Sequence, residues 1–160
     1  MDFSTEGGSI TGTRVTDADG WAVVGHSSLR AGKFTVTAAI NGSSMSIDTV
    51  FRPDEDHLDS SKSTLTATPV SILADGVDTS VITLTLKDVN ANLVRGQTVT
   101  FSSNRSGVVF SSAVDNDDGT YSVNMSGTEE GNADVTAHIN SSIQVTAANI
   151  VTLQPVPSTH

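Results

Sequence analysis

Apolar and polar side chains alternate with a period of two along most of this 160-residue chain, and few folds accept that pattern. In residues 81–86, Ile82, Leu84 and Leu86 share one face while the other is mostly Thr. Phe34, Val36, Ala38 and Ile40 make a second such face, and Tyr121, Val123 and Met125 a third. Ala133, Val135, Ala137 and Ile139 follow, then Ile143, Val145, Ala147, Val151 and Leu153. Strict alternation means one buried and one wet face, the habit of antiparallel sheets. Asp75-Gly76, Asn90-Ala91-Asn92 and two acidic turns separate the runs, and no segment sustains a helical period. Ser and Thr make up 43 of the residues, beside abundant Val and Ile, whereas only 16% are charged. That balance suits half-buried pleated surfaces and not disorder. The pattern predicts an all-β chain built as an immunoglobulin-like β-sandwich.

The chain also repeats itself. Phe3-Ser4 recurs as Phe101-Ser102, and an acidic turn ending at Gly20 recurs ending at Gly119. Gly32 matches Gly131, Val36-Thr37-Ala38 matches Val135-Thr136-Ala137, and Phe51-Arg52-Pro53 sits where Leu153-Gln154-Pro155 sits. A period near one sandwich domain is the mark of a tandem array. The expected organisation is the C-terminal part of one domain over 1–53, a polar linker over 54–62, a complete domain over 63–155, and a tail over 156–160. Nothing in the first copy matches 63–100, about three strands. Its inward side chains are too few to offset the ordering of 1–53, so this copy is not expected to fold alone. Self-association through its bare apolar face is the expected remedy.

Net charge of −10 opposes phosphate backbones and anionic lipid, which argues against nucleic-acid and membrane-surface partners. No run of apolar residues is long enough for a transmembrane helix. The absence of cysteine excludes a disulfide framework and thiol-ligated zinc.

Specific residues resemble a known family. Residues 63–69 (STLTATP), then Ala74-Asp75-Gly76, then 82–88 (ITLTLKD) look like the opening of a bacterial Ig-like domain of the invasin and intimin type. Residues 90–101 (NANLVRGQTVTF), the acidic turn before Gly119, and Gly131 ahead of Asp134-Val135-Thr136-Ala137 are similar to the remainder. The resemblance covers 63–155 fully and 3–53 as the end of a second copy. It implies tandem domains forming a stalk at the bacterial cell surface, anchored in the outer membrane by a barrel outside this chain. It also implies an adhesive tip contacting a host-cell receptor; neither barrel nor tip is present in these residues.

Candidate sites are sparse. Asp17-Ala18-Asp19-Gly20 and Asp115-Asn116-Asp117-Asp118-Gly119 superficially suggest calcium. An EF-hand counted from Asp115 would need Glu at its twelfth position, where Ser126 stands, and Asp or Asn before Gly is ordinary turn chemistry. Asp54, Glu55, Asp56 and Asp59 could hold an interdomain ion, but a solvated charge run takes precedence. His26, His57, His138 and His160 show no metal-ligand spacing. Four Asn-x-Ser matches, at Asn41, Asn104, Asn124 and Asn140, are read as accidents of a Ser-rich chain. No nucleophile elbow or phosphate-binding loop occurs, so neither an enzyme nor a cofactor is expected. Trp21 aligns with Thr120, on the outer face. Either it is an exposed anchor for a host protein or glycan, or a one-residue bulge tucks it inward. The expected function is an adhesin spacer; the alternative is a direct binding module around Trp21.

Overall fold

A computed structural model describes residues 2–12, 18–19 and 21–158, and these fall into two compact units, Met1–Pro53 and Asp54–His160. Among the described residues every regular element is a strand.

The second unit comprises β6 (Thr64–Thr68), β7 (Ser71–Leu73), β8 (Ser80–Thr85), β9 (Val99–Ser103), β10 (Val108–Phe110), β11 (Val114–Asp115), β12 (Thr120–Gly127), β13 (Gly131–Ile139) and β14 (Ile143–Gln154). One sheet runs β10-β12-β8-β6, with β11 also on β12; the other runs β7-β14-β13-β9. Period-two burial along β8, β12 and β13 turns one face of each sheet inward. Two apolar clusters fill the space between the sheets. Ile82, Val123 and Met125 meet Val135, Val151 and Leu153 in one, and Leu84, Leu86 and Tyr121 meet Ala137, Ile139 and Val145 in the other. The core expected from the alternation is therefore buried at Leu84, Leu86, Val99, Tyr121, Val123, Val135, Ile139 and Val145. Phe101 differs: it is only half-buried, because β9 is the outer strand of its sheet, and its ring lies 6.3 Å from that of Phe110.

The chain changes sheets after Pro69. β6 pairs antiparallel with β8, whereas β7 runs parallel to the end of β14, with Ser71 opposite Thr152 and Leu73 opposite Gln154. Within the β13–β14 ladder the register shifts between Ala133 and Val135, where Asp134 Oδ1 accepts a 2.7 Å hydrogen bond from the Asn149 amide.

The first unit comprises β1 (Asp2–Thr5), β2 (Ser9–Gly12), β3 (Val24–Ser27), β4 (Gly32–Ile40) and β5 (Ser43–Phe51). β1-β4-β5 form one sheet and β2-β3 a separate pair. Asn41 and Gly42 turn the β4–β5 hairpin, both at positive φ (49° and 85°), the backbone that a tight two-residue hairpin requires. The strand order repeats that of β9, β13 and β14, and so does the antiparallel register from Val36 onward, though the β4–β5 ladder runs without the shift seen between Ala133 and Val135. Phe3 stands opposite Ala38 as Phe101 stands opposite Ala137, and Ile40 opposite Ser43 as Ile139 opposite Ile143. Burial does not repeat: among the described hydrophobic residues of this unit only Val36 is buried. A small aromatic cluster holds the unit together, with the His26 ring edge-on to Phe51 at 4.9 Å and Phe34 at 6.1 Å from Phe51.

Candidate functional site

The densest polar arrangement of the second unit centres on Asp88, just beyond β8. Its carboxylate is fully buried and accepts four hydrogen bonds: from the backbone amides of Asp54 (2.8 Å), Asn90 (2.9 Å) and Asn92 (2.9 Å), and from Asn92 Nδ2 (3.0 Å). Burial works against the charge. The donors outweigh it, with the Asp54 amide foremost among them, and hold the carboxyl below its usual range. Residues 54–62 fold onto this anchor. Leu58 bridges to Asp88 and packs beneath one apolar cluster, the Asp59 amide donates to the Lys87 carbonyl at 2.9 Å, and Ser63 Oγ accepts from the Lys87 amide at 3.0 Å. Sequence reasoning passed over Asp88; an Asp two residues before the Asn90-Ala91-Asn92 turn is the signal that finds it.

Carboxylates proposed for an interdomain ion serve their own turn. Asp54 accepts from His57 Nδ1 at 2.8 Å, and this contact raises the imidazole above its ordinary value. Asp59 accepts from Ser61 and from Lys62 Nζ (3.0 Å), which lowers it to about 2. Asp56 donates its amide to Asp54 Oδ1 at 3.2 Å, and Glu55 is exposed. These side chains are not gathered around a common point. Among the described residues no group of three or more His, Asp or Glu side chains could hold a metal ion.

The acidic turn of the second unit is likewise consumed locally. Asp115 accepts from the Gly96 amide (2.7 Å) and the Asp117 amide (2.9 Å), while Asp118 accepts from the Thr120 hydroxyl and amide, which lower its pKa. Of the matching turn in the first unit, Ala18 and Asp19 are exposed; Asp17 and Gly20 lie outside the described residues, as does His160.

The remaining singled-out residues separate widely in role. His138 lies on the outer face, hydrogen-bonded to Ser102 Oγ at 2.8 Å. His26 Nε2 donates to the Gly7 carbonyl at 2.7 Å. Asn104 and Asn140 are tied to neighbouring loops, Asn104 through the Asp134 amide (2.9 Å) and Asn140 through the Thr98 amide (3.1 Å). Asn41 forms the hairpin turn, and Asn124 sits on β12 opposite Val81. Trp21 lies ahead of β3 with its side chain outward, 70% exposed. An open groove of about 560 Å³ beside β6 and β14 is lined by Ser60, Ser61, Ser63, Thr64, Gln144 and Thr146 among others, hydroxyls and an amide without a charge.

Comparisons with known proteins agree with this architecture. The family described as invasin, domain 3, matches residues 59–155. The inverse autotransporter adhesin YeeJ of Escherichia coli K12 is 32% identical over 161 residues, covering 91% of this chain and 7% of its own length. The solved structure of Yersinia pseudotuberculosis InvD superposes over 97% of this chain and 47% of its own, at TM-score 0.77 and 23% identity. That of invasin, described as a bacterial integrin-binding protein, covers 98% of this chain and 32% of its own, at TM-score 0.55 and 32% identity. The chain thus spans a small part of the curated relative it matches and less than half of either solved structure.

Proposed function

Because this chain belongs to the invasin domain 3 family, adhesin domains that are non-enzymatic and displayed at the bacterial cell surface, we propose that it is a stalk segment. It holds a distant tip away from the cell as one link of a tandem array. A host-cell protein or glycan is then bound by a region outside these residues; the similar protein invasin is described as integrin-binding.

The single observation that carries this reading is the fate of the carboxylates. Asp54, Asp59 and Asp118 accept hydrogen bonds within their own turns, and Asp88 and Asp115 also accept the backbone amides of Asp54 and Gly96 from other segments, so all five stiffen the domain and its entry segment and are not spare for a ligand. Exposed Trp21 favours a second reading, a direct contact surface on the first unit.

One experiment separates the two. In the parent adhesin, this segment is exchanged for an unrelated Ig-like pair of the same length, and Trp21→Ala is made in parallel. Host-cell binding that survives both supports the spacer. Binding lost in either one, with the protein still displayed, overturns it in favour of direct contact.

A further inference from the structure

β14 is the longest strand among the described residues, and on its outer side β7 covers only 152–154. Hydrogen bonds fix which way the rest of its main chain points. The Asn140 amide donates to the Thr98 carbonyl (2.9 Å), so even-numbered residues of β13 turn toward β9 and odd-numbered ones toward β14. Val135, Ala137 and Ile139 stand opposite Ala147, Val145 and Ile143, which therefore bond back to β13. The main-chain groups of Gln144, Thr146 and Ala148 face outward, without a partner strand. Beyond the register shift the same alternation holds: the Asn149 amide turns inward to Asp134 and the Thr152 amide outward to the Val70 carbonyl. Residues 144–148 are thus an open sheet edge. Edges are ordinarily guarded by brevity, charge or Pro, and residues 144–148 (QVTAA) carry neither charge nor Pro. By contrast, β7 and β10 have three residues each, and β6 stops before Pro69. The groove beside this edge is lined by hydroxyls and an amide, and Lys62 at its rim is paired with Asp59 at 3.0 Å.

We propose that this edge pairs with the same edge of a second copy of the chain, antiparallel about a two-fold axis at Thr146. Thr146 of one copy then lies opposite Thr146 of the other, and Gln144 opposite Ala148, so the outward N–H and C=O groups of all three find partners. Charge favours a second copy as the occupant. Two chains of net charge −10 repel over most of their surfaces, but here no like charges are opposed. The hydroxyl pair Thr136–Thr146 (2.9 Å) continues across the axis as a row on the outer face. Paired strands run in opposite directions, so on the stalk reading such a pair joins copies on facing cells; the pairing itself does not depend on that reading.

The chain has no cysteine, so single introduced cysteines report the register. Opposed Cα atoms in such a pair lie about 5.5 Å apart, within reach of a disulfide. Under mild oxidation Thr146→Cys is expected to link to itself. Gln144→Cys and Ala148→Cys are expected to link to each other when mixed, and neither to itself. Asn124→Cys, exposed on β12, gives the rate of chance collision. Light scattering of the wild type should show mass doubling as concentration rises into the millimolar range. Thr146→Lys opposes like charges across the axis and should abolish that doubling while keeping the wild-type circular dichroism. A chain that stays monomeric, with Thr146→Cys linking no faster than Asn124→Cys, overturns the proposal and leaves the edge to an extended segment of another protein or to water. Gln144→Cys linking to itself overturns the antiparallel register. A dimer dissolved by Met45→Lys and not by Thr146→Lys also overturns the proposal, since the copies then meet through the first unit.

Discussion

Tyr121 donates its phenolic hydrogen to the carbonyl of Val94 at 3.0 Å and accepts the Gln97 amide at 3.2 Å, which ties the middle of one sheet to the loop that enters the other. Both loop groups depend on one oxygen. Tyr121→Phe keeps the ring in the apolar cluster but strands the carbonyl and the amide, and is expected to cost about 1–3 kcal/mol of unfolding free energy. Urea denaturation followed by circular dichroism measures it. Burial raises the phenol above its ordinary value, so its contribution is complete below pH 10 and declines as pH rises through the folded value.

Asp88→Ala removes the acceptor of four hydrogen bonds and leaves the Asp54, Asn90 and Asn92 amides without it. A loss of about 2–3 kcal/mol in the second unit is expected, with faster amide exchange over 54–62 as the local signature. The same carboxylate gives a pH dependence of definite sign. Its folded pKa lies below the unfolded value, so its stabilisation is present above about pH 4 and lost as pH falls through the folded value. Acid titration of the wild type against Asp88→Ala checks this: the difference between them shrinks toward low pH.

His57 titrates above its ordinary value because Asp54 accepts from its Nδ1. Proton NMR of the imidazole should show an elevated midpoint, and Asp54→Asn should bring it back toward 6.5. A raised folded pKa means that the pair's stabilisation is present below the unfolded value and lost as pH rises through the folded one. Both side chains are substantially exposed, so global stability should move little and salt should weaken the shift.

Gly119 combines a φ of +91° with a position where an added Cβ would lie 2.6 Å from Leu93 Cβ. Gly119→Ala is expected to cost about 1–3 kcal/mol through backbone strain and displacement of Leu93. A melting temperature unchanged by this substitution would remove the turn explanation for the acidic loop and reopen it as a ligand site.

The alternation made the second unit legible because period two encodes which face is buried without reference to sequence-distant partners. Ile82, Leu84 and Val135 need no more than that. Pairing is encoded far less directly. The parallel meeting of β7 with β14 joins residues about eighty apart, and nothing in Ser71-Ile72-Leu73 announces it. Asp88 escaped notice for a related reason: three of its four donors belong to Asn90 and Asn92 nearby, but the fourth is the amide of Asp54, which only the folded chain brings close. The aromatic cluster of His26, Phe34 and Phe51 was hidden similarly, since these residues come from three separate strands. Trp21 could be placed on a face by alignment, but its outward side chain required the structure.

The parallel pairing of β7 with β14 decides how the second unit bears a load. On the stalk reading proposed above, traction enters near β6 and leaves after β14, pulling β7 and β14 in opposite directions along their own axes. The Thr152 amide to the Val70 carbonyl (2.8 Å) and the Ala74 amide to the Gln154 carbonyl (2.9 Å) bracket that contact. Such bonds are sheared together and cannot open one after another as in a hairpin peeled from its end. Flow across an attached cell would therefore meet a latch at the point where the force leaves the domain.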